Sequence, residues 1–184
     1  MATQVSDAGH KTNLVAYMPQ VIIPYIPITH TATGFYIKDD KILFGLRRKS
    51  STDLGIGLFS GIGGKLEPGE TASQALEREF QEEIGVKPLK YELIGKLVYI
   101  FQDQEVSSPW NQIAYFYYVS EIDGKPKTTP KTKPVFFNIN NIPWYNVWID
   151  NKMWFSLFLD RQPFYGEFIY EDVDTVIKYY IEVL

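Results

Sequence analysis

The order of apolar and polar positions along the chain predicts a series of strands with two helices among them. Apolar runs at 33–37 and 42–46, joined by the polar segment 38–41, are typical of a β-hairpin. Further strands are predicted near 91–102, 112–120, 134–138, 166–170 and 175–183, and helices over 72–84 and 151–160. Thr71 is a suitable N-cap for the first helix, and Gly85 follows its last residue. This order predicts the α+β class, with a mixed sheet and two helices packed on it.

The first predicted helix carries more carboxylates than its solvent-facing side needs. On a helical wheel of about 100° per residue, its apolar residues form one continuous stripe. The stripe contains Ala72, Leu76, Phe80 and Ile84. Glu83 falls in the middle of this stripe and Glu79 close beside it, where a carboxylate without a partner is costly. Together with Glu82 they lie on one side of the helix, which favours a site for a hard divalent cation over a solvated acidic face.

The segment before this helix is rich in glycine. Residues 58–66 include Gly61, Gly63 and Gly64, which is more glycine than an ordinary strand interior contains. Glycines allow the backbone to approach a ligand closely, their carbonyls can bind a metal, and Lys65 can meet a phosphate. The alternative is a connection whose glycines only form tight bends. A Walker A loop is excluded because a leucine follows Lys65.

These two segments together are similar to the Nudix box, which they match without a gap. The matching residues are Gly64, Glu70, Arg78, Glu79, Phe80, Glu82, Glu83, Gly85 and Val86. Only Phe80 is a mild variant, because a smaller aliphatic residue is commoner there. The resemblance implies the Nudix fold, an α/β/α sandwich in which helices flank a mixed β-sheet. It also implies an enzyme that hydrolyses phosphoanhydride bonds.

The resemblance assigns roles to the residues of the box. The implied ligands of Mg²⁺, or of Mn²⁺, are Glu79, Glu82, Glu83 and the Gly63 carbonyl. Glu70 and Arg78 would pair and brace the loop against the helix. The implied chemistry is metal-assisted: the cations neutralise the pyrophosphate and activate a water, and a glutamate of the box or of a neighbouring loop takes its proton. The predicted catalytic residues are Glu70, Arg78, Glu79, Glu82 and Glu83.

The C-terminal half resembles the MutT-homologue enzymes of animals, which hydrolyse oxidised purine nucleoside triphosphates such as 8-oxo-dGTP and 2-hydroxy-dATP to the monophosphate and pyrophosphate. The similar segments are 141–143, 148–151, 154–155, 164–168 and 174–177. By this resemblance Trp148 would stack on the purine, Phe59 would line the other side of the pocket, and Asp150 would bind the base edge. The predicted substrate-binding residues are Arg47, Phe59, Ser60, Lys65, Trp148, Asp150 and Asn151. General packing shared by many Nudix domains is the alternative explanation.

Several positions depart from the pattern of this branch. Asn151 stands where those enzymes have a second acid, and Ser60 where they have asparagine. Lys131 lies in a loop where relatives place an acid that helps to hold metal, and a lysine cannot do that. The loop after Arg47 is about three residues longer. The departures leave the reaction class in place and the preferred base open.

Composition restricts the other classes. The 184 residues suit one domain, predicted over 31–184, with an N-terminal extension over 1–30. A net charge of −4 without a basic stripe argues against long nucleic acid, and the absence of cysteine excludes a thiol nucleophile. The apolar segment 21–28 contains two prolines and is too short to span a membrane, so an edge strand or a clamped segment is expected. A cytoplasmic enzyme is predicted, as a monomer or a homodimer.

Three alternatives stay open at this point. A different Nudix substrate, such as ADP-ribose, a dinucleotide, a capped RNA end or a non-nucleotide pyrophosphate, would leave the box unchanged. An isomerase built on this scaffold is disfavoured because similar isomerases rely on a cysteine. A catalytically idle domain that senses a nucleotide is disfavoured because the box is complete.

Overall fold

The computed structural model describes residues 22–48 and 56–184. These residues form nine strands and two helices. Seven of the strands and both helices follow the predicted order, and the other two strands lie in the glycine-rich segment before the first helix, where none was predicted. The strands are β1 (Thr29–Lys38), β2 (Lys41–Arg47), β3 (Phe59–Ser60), β4 (Ile62–Lys65), β5 (Pro88–Phe101), β6 (Gln112–Ile122), β7 (Thr132–Asn138), β8 (Phe164–Asp172) and β9 (Thr175–Val183). The helices are α1 (Ala72–Ile84) and α2 (Asn151–Leu159). Much of the predicted loop after Arg47, and the first 21 residues of the predicted extension, lie outside the described residues.

The sheet is mixed, as the order of elements predicts. Its strands follow the order β3-β2-β1-β6-β5-β8-β9, while β4 pairs with β1 and β7 pairs with β2. The β1–β6 and β5–β8 pairs are parallel, and the other pairs are antiparallel. The predicted hairpin is β1–β2, in which Asp39 and Asp40 have positive φ angles of 49° and 58°. Aspartate tolerates this left-handed conformation better than most residues, which suits a two-residue hairpin turn.

The two helices cover opposite faces of the sheet. Buried apolar residues of α1, among them Leu76 and Phe80, pack with Tyr36 of β1. Buried aromatic residues of α2, among them Trp154, pack with Phe35 of the same strand. Since neighbouring residues of a strand point to opposite faces, this division confirms the predicted α/β/α sandwich.

The segment before β1 is held on the sheet through polar contacts. The backbone N–H groups of Ile22 and Ile23 donate to the buried carboxylate of Glu167, and Asn111 Nδ2 donates to the Tyr25 hydroxyl at 2.8 Å. Residues 22–28 form no strand. The sequence allowed either an edge strand or a segment clamped on the domain, and the structure shows the clamped segment. In the part of the chain that the structure describes, no helix is long and apolar enough to cross a membrane.

Candidate active site

The carboxylates of the box are positioned by a helix that is capped at both ends. The Thr71 side chain accepts a hydrogen bond from the Gln74 N–H at 3.3 Å, and the Gln74 side chain accepts one from the Thr71 N–H at 2.9 Å. This reciprocal arrangement satisfies two backbone donors at the start of α1. At the other end Gly85 has a φ of 69°, and its N–H donates to the Gln81 carbonyl. The caps fix where α1 begins and ends, and therefore which residues face the glycine-rich strand β4.

Two of the three predicted metal ligands are buried against β4, as the wheel predicts. Glu79 and Glu83 are each only 9% exposed. The Gly63 N–H donates to Glu83 at 3.3 Å. A Cβ at Gly64 would lie 2.3 Å from Glu79 Oε1, so only glycine leaves room for this carboxylate beside the strand. The glycines therefore allow the close approach of helix and strand that places both carboxylates at one site.

The charge of Glu83 is the least well compensated of the group. Burial raises its pKa to about 7, and the neighbouring carboxylate of Glu79 adds to this effect. The charge of Arg47 and hydrogen bonds from the Gly63 N–H and Thr132 oppose it. In the absence of a bound cation, Glu83 therefore takes up a proton far more readily than an ordinary glutamate.

Glu82 has a different environment from the other two carboxylates. Its side chain is 42% exposed, and its Oε2 accepts a hydrogen bond from the ammonium of Lys131 at 2.9 Å. This bond lowers the pKa of Glu82 and raises the pKa of Lys131. Lys131, which stands in a loop where relatives place a metal-binding acid, is thus in contact with the predicted metal ligand Glu82.

Arg78 braces the loop between β4 and α1. It donates to both oxygens of Glu70 at 2.9 Å, to the Lys65 carbonyl at 2.9 Å and to Glu79 at 2.7 Å. The hydrogen bond from Arg78 holds the pKa of Glu70 below its usual range. The planar guanidinium matches two carboxylate oxygens at once, which a lysine could not do. Glu70 and Arg78 thus lie in the pair that the resemblance to the box implies.

Among residues 22–48 and 56–184, no three His, Cys, Asp or Glu side chains converge closely enough to hold a metal ion. The partners of the carboxylates explain this: Glu79 is turned toward Arg78, Glu82 toward Lys131, and Glu83 toward the Gly63 N–H. The donor set itself fits Mg²⁺ or Mn²⁺, because three carboxylates of one helix side lie beside a backbone strand with free space in front of them. Binding would require these side chains to exchange their present partners.

A cavity of about 1080 Å³ extends from the carboxylates to an aromatic wall. Most of the predicted site residues line it: Arg47, Ser60, Gly63, Lys65, Arg78, Glu79, Glu82, Glu83, Trp148, Asp150 and Asn151. Glu70 lies behind Arg78. Phe59 does not line the cavity: its ring packs edge-on against Phe137 at 4.8 Å. Ser60, the next residue of β3, faces the cavity, and adjacent strand residues point to opposite sides.

Asp150 is held by three donors at the aromatic end of the cavity. It is 2% exposed and accepts hydrogen bonds from Tyr99 and Trp154 at 2.8 Å and from Tyr170 at 2.7 Å. Burial raises its pKa above the usual range, although the three donors oppose this shift. Burial and the charge of Asp150 also raise the pKa values of both tyrosines, which therefore stay protonated and able to donate.

Comparison with known proteins identifies the family. The family model described as the NUDIX domain matches residues 28–154. The chain belongs to the NUDIX family. This confirms the family predicted from the box.

Two curated relatives and one solved structure are similar to this Nudix chain. It is 28% identical to the oxidized purine nucleoside triphosphate hydrolase of Mus musculus over 143 residues, 78% of this chain and 87% of that protein. It is 34% identical to the ADP-ribose pyrophosphatase of Methanocaldococcus jannaschii over 111 residues, 60% of this chain and 62% of that protein. The crystal structure of the mMutator MutT protein from Bacillus halodurans has a TM-score of 0.71 at 22% identity, covering 84% of this chain and 98% of that one. This similarity confirms the predicted fold.

Sequence reasoning missed most of the aromatic wall of this Nudix cavity. The wall includes Phe35, Tyr99, Phe101, Trp110, Phe116 and Tyr170. Phe101 stacks on Tyr170 at 4.7 Å and meets Trp110 edge-on at 5.3 Å. Alternating positions of β1, β5 and β6 supply several of these residues, so a period of two along each strand was the available signal. Which face of the sheet those positions occupy depends on strand pairing, which the sequence does not show directly.

Proposed function

We propose that this Nudix chain hydrolyses oxidised purine nucleoside triphosphates, such as 8-oxo-dGTP or 2-hydroxy-dATP, to the monophosphate and pyrophosphate. The observation that carries the proposal is the cavity, which joins the carboxylate end of α1 to an aromatic pocket. The volume of about 1080 Å³ is at the upper end of the usual range for small-molecule sites, and a nucleotide fits it. The name of the mouse relative, an oxidized purine nucleoside triphosphate hydrolase, supports the same substrate class.

The phosphate chain is assigned to the carboxylate end of the cavity. Glu79, Glu82, Glu83 and the Gly63 carbonyl would hold Mg²⁺ or Mn²⁺ there, and Lys65 lines the same end. A bound cation of this kind supplies charge neutralisation and a water of lowered pKa. The Glu70–Arg78 pair braces the loop that follows Lys65. The Lys65 carbonyl accepts a hydrogen bond from Arg78, which fixes where that loop begins.

The base is assigned to the aromatic end. Trp148 lines the cavity beside Asp150 and Asn151, and its indole is available as a stacking surface for a purine. The neutral Asn151 amide can donate and accept at the same time without any change of protonation. Asp150 is engaged by three donors of the protein, so its contribution to base reading includes holding Tyr99 and Tyr170 in place. The proposed enzyme acts on a small nucleotide in the cytoplasm, as a monomer or a homodimer.

The experiment is a kinetic comparison across a panel of substrates with Mg²⁺: 8-oxo-dGTP, 2-hydroxy-dATP, dGTP, dATP, ADP-ribose and a dinucleoside polyphosphate. We expect the highest kcat/KM for an oxidised purine triphosphate, with monophosphate and pyrophosphate released. Trp148→Ala should lower that value by about 5- to 150-fold, since a base stacked on an aromatic ring is worth about 1–3 kcal/mol.

Tyr145→Ala is the matched control, because Tyr145 lies in the same connection, is 90% exposed and does not line the cavity. It should leave kcat/KM unchanged. A preference for ADP-ribose or the dinucleotide would keep the hydrolase and reject the base pocket. Equal losses in the Trp148 and Tyr145 variants would reject the stacking role of Trp148.

A further inference from the structure

A lysine ammonium occupies the same carboxylate cluster that is proposed to bind the metal. Lys131 Nζ lies 2.9 Å from Glu82 Oε2, and both side chains line the cavity. Lys131 donates this hydrogen bond to Glu82, and Glu79 and Glu83 line the same cavity. A cation of the protein therefore stands where a divalent cation is expected.

The loop that carries Lys131 is fastened to the helix that carries Glu82. The Thr129 hydroxyl donates to the Glu83 carbonyl at 2.9 Å, and it accepts from the Lys131 N–H at 3.3 Å and from the Thr132 N–H at 3.2 Å. On the other side the Arg48 N–H donates to the Lys131 carbonyl at 2.9 Å. These bonds fix the backbone at Lys131 relative to the C-terminal half of α1. The ion pair is thus part of a connected hydrogen-bond arrangement, unlike a chance contact between two surface side chains.

Arg78 and Lys131 pair with different carboxylates of the cluster. Arg78 serves Glu70 and Glu79 with hydrogen bonds of 2.7 to 2.9 Å, and it reaches Glu82 only at 3.6 Å. Lys131 is therefore the main counter-ion of Glu82. Glu83 accepts a hydrogen bond from a backbone N–H, that of Gly63.

We propose that Lys131 is a resident cation of this cleft, which competes with a divalent cation for Glu82. This inference rests on the proposed metal site of the box. Once displaced from Glu82, the ammonium stays at the cavity wall, where it can meet a phosphate as a point charge. The consequence is a higher requirement for free metal than the three carboxylates alone would have.

The test is a titration with Mn²⁺ alone, without nucleotide, followed by electron paramagnetic resonance of the free ion. Lys131→Met should bind Mn²⁺ about 3- to 10-fold more tightly than wild type. Loss of one exposed ion pair alone shifts an equilibrium by up to about fivefold, and the lysine charge also acts on Glu79 and Glu83 in the same cavity. Lys133→Met is the matched control, since Lys133 is exposed two residues along on β7. It should match wild type. The gain in the Lys131 variant should shrink at high salt, which screens the pair it removes.

Glu83→Gln in the same titration distinguishes a failure of the proposed metal site from a failure of the role of Lys131. If Glu83→Gln loses Mn²⁺ binding while Lys131→Met stays within twofold of Lys133→Met, the metal site stands and the role of Lys131 is refuted. If wild type and Glu83→Gln bind Mn²⁺ equally, or wild type does not bind it, the proposed metal site fails and the role of Lys131 fails with it. Thermal unfolding of each variant, recorded beside the titration, shows that all four proteins are folded.

Discussion

Replacement of Glu83 by glutamine is expected to change stability and turnover in opposite directions. The carboxylate is 9% exposed, and its pKa is raised from 4.5 to about 7 in the folded protein by burial and by Glu79. Glutamine has nearly the same shape, carries no charge, and keeps an oxygen that can accept from the Gly63 N–H. The substitution therefore removes the buried charge and leaves the packing of α1 on β4 nearly unchanged.

The size of the effect follows from the pKa shift. Because the folded protein holds this proton more tightly than the unfolded chain, the contribution of Glu83 to stability is highest below pH 4.5 and is lost as the pH rises toward about 7. Raising the pKa from 4.5 to about 7 corresponds to a loss of up to about 3 kcal/mol above pH 7. Glutamine does not titrate, so the variant should gain up to this amount over wild type at pH 8. For a chain of this length, the gain is about 2–4 °C in Tm for each kcal/mol.

The assay is thermal and urea unfolding at pH 5 and pH 8 in the presence of EDTA. Wild type and Glu83→Gln should be nearly equal at pH 5, and the variant should be the more stable protein at pH 8. Saturating Mg²⁺ should raise the stability of wild type and have little effect on the variant, because a ligand stabilises only the fold that binds it. In a turnover assay the variant should be almost inactive.

Glu121→Gln serves as the control, because Glu121 is exposed near the end of β6. It should behave as wild type at both pH values. A difference between wild type and Glu83→Gln that does not change between pH 5 and pH 8 would refute the reasoning. So would a variant that is less stable than wild type at pH 8.

Three further predictions concern the parts around Glu83. In Gly64→Ala the new Cβ would lie 2.3 Å from Glu79 Oε1 and should displace the flexible Glu79 side chain. We expect a small change in Tm and a loss of at least about tenfold in Mn²⁺ affinity and in kcat/KM. Unchanged affinity would count against Glu79 as a ligand. Arg78→Lys should lose the two-point contact with Glu70 and lower stability by about 1–2 kcal/mol in urea unfolding, together with kcat/KM; retention of both would show that the brace is dispensable. Asp150→Asn should lower stability by about 1–3 kcal/mol, because an amide has one acceptor oxygen for three donors, and an unchanged urea midpoint would contradict this.

The success of sequence reasoning here depended on whether a feature was local. The caps at Thr71 and Gly85 and the burial of Glu79 and Glu83 follow from the period of one helix, which a wheel captures. The side of β3 on which Phe59 lies could not be predicted, because a strand of two residues carries too little pattern to show which side faces the cavity.

The remaining contacts join residues that are distant in the sequence. Tyr99 and Tyr170 reach Asp150 from β5 and β8, two strands that are parallel neighbours only after the fold has formed. The contact between Lys131 and Glu82 likewise depends on how a long loop returns to α1. The sequence predicts that Glu82 lies on a helix and Lys131 in a loop. Only the tertiary structure shows that the two side chains are in contact.

The parallel pairing of β1 with β6 has a consequence for how the chain reaches its structure. β1 lies between β2 and β6, and its pairing with β6 joins Thr29 to Gln112, while the β5–β8 pairing joins Gly95 to Phe164. β1 therefore lacks β6, one of its three partner strands, until much of the chain has been synthesised. Pairings of such separation close slowly, on a scale of milliseconds to seconds for domains rich in them. Until β6 has been synthesised, β1 exposes a backbone edge that is open to wrong association.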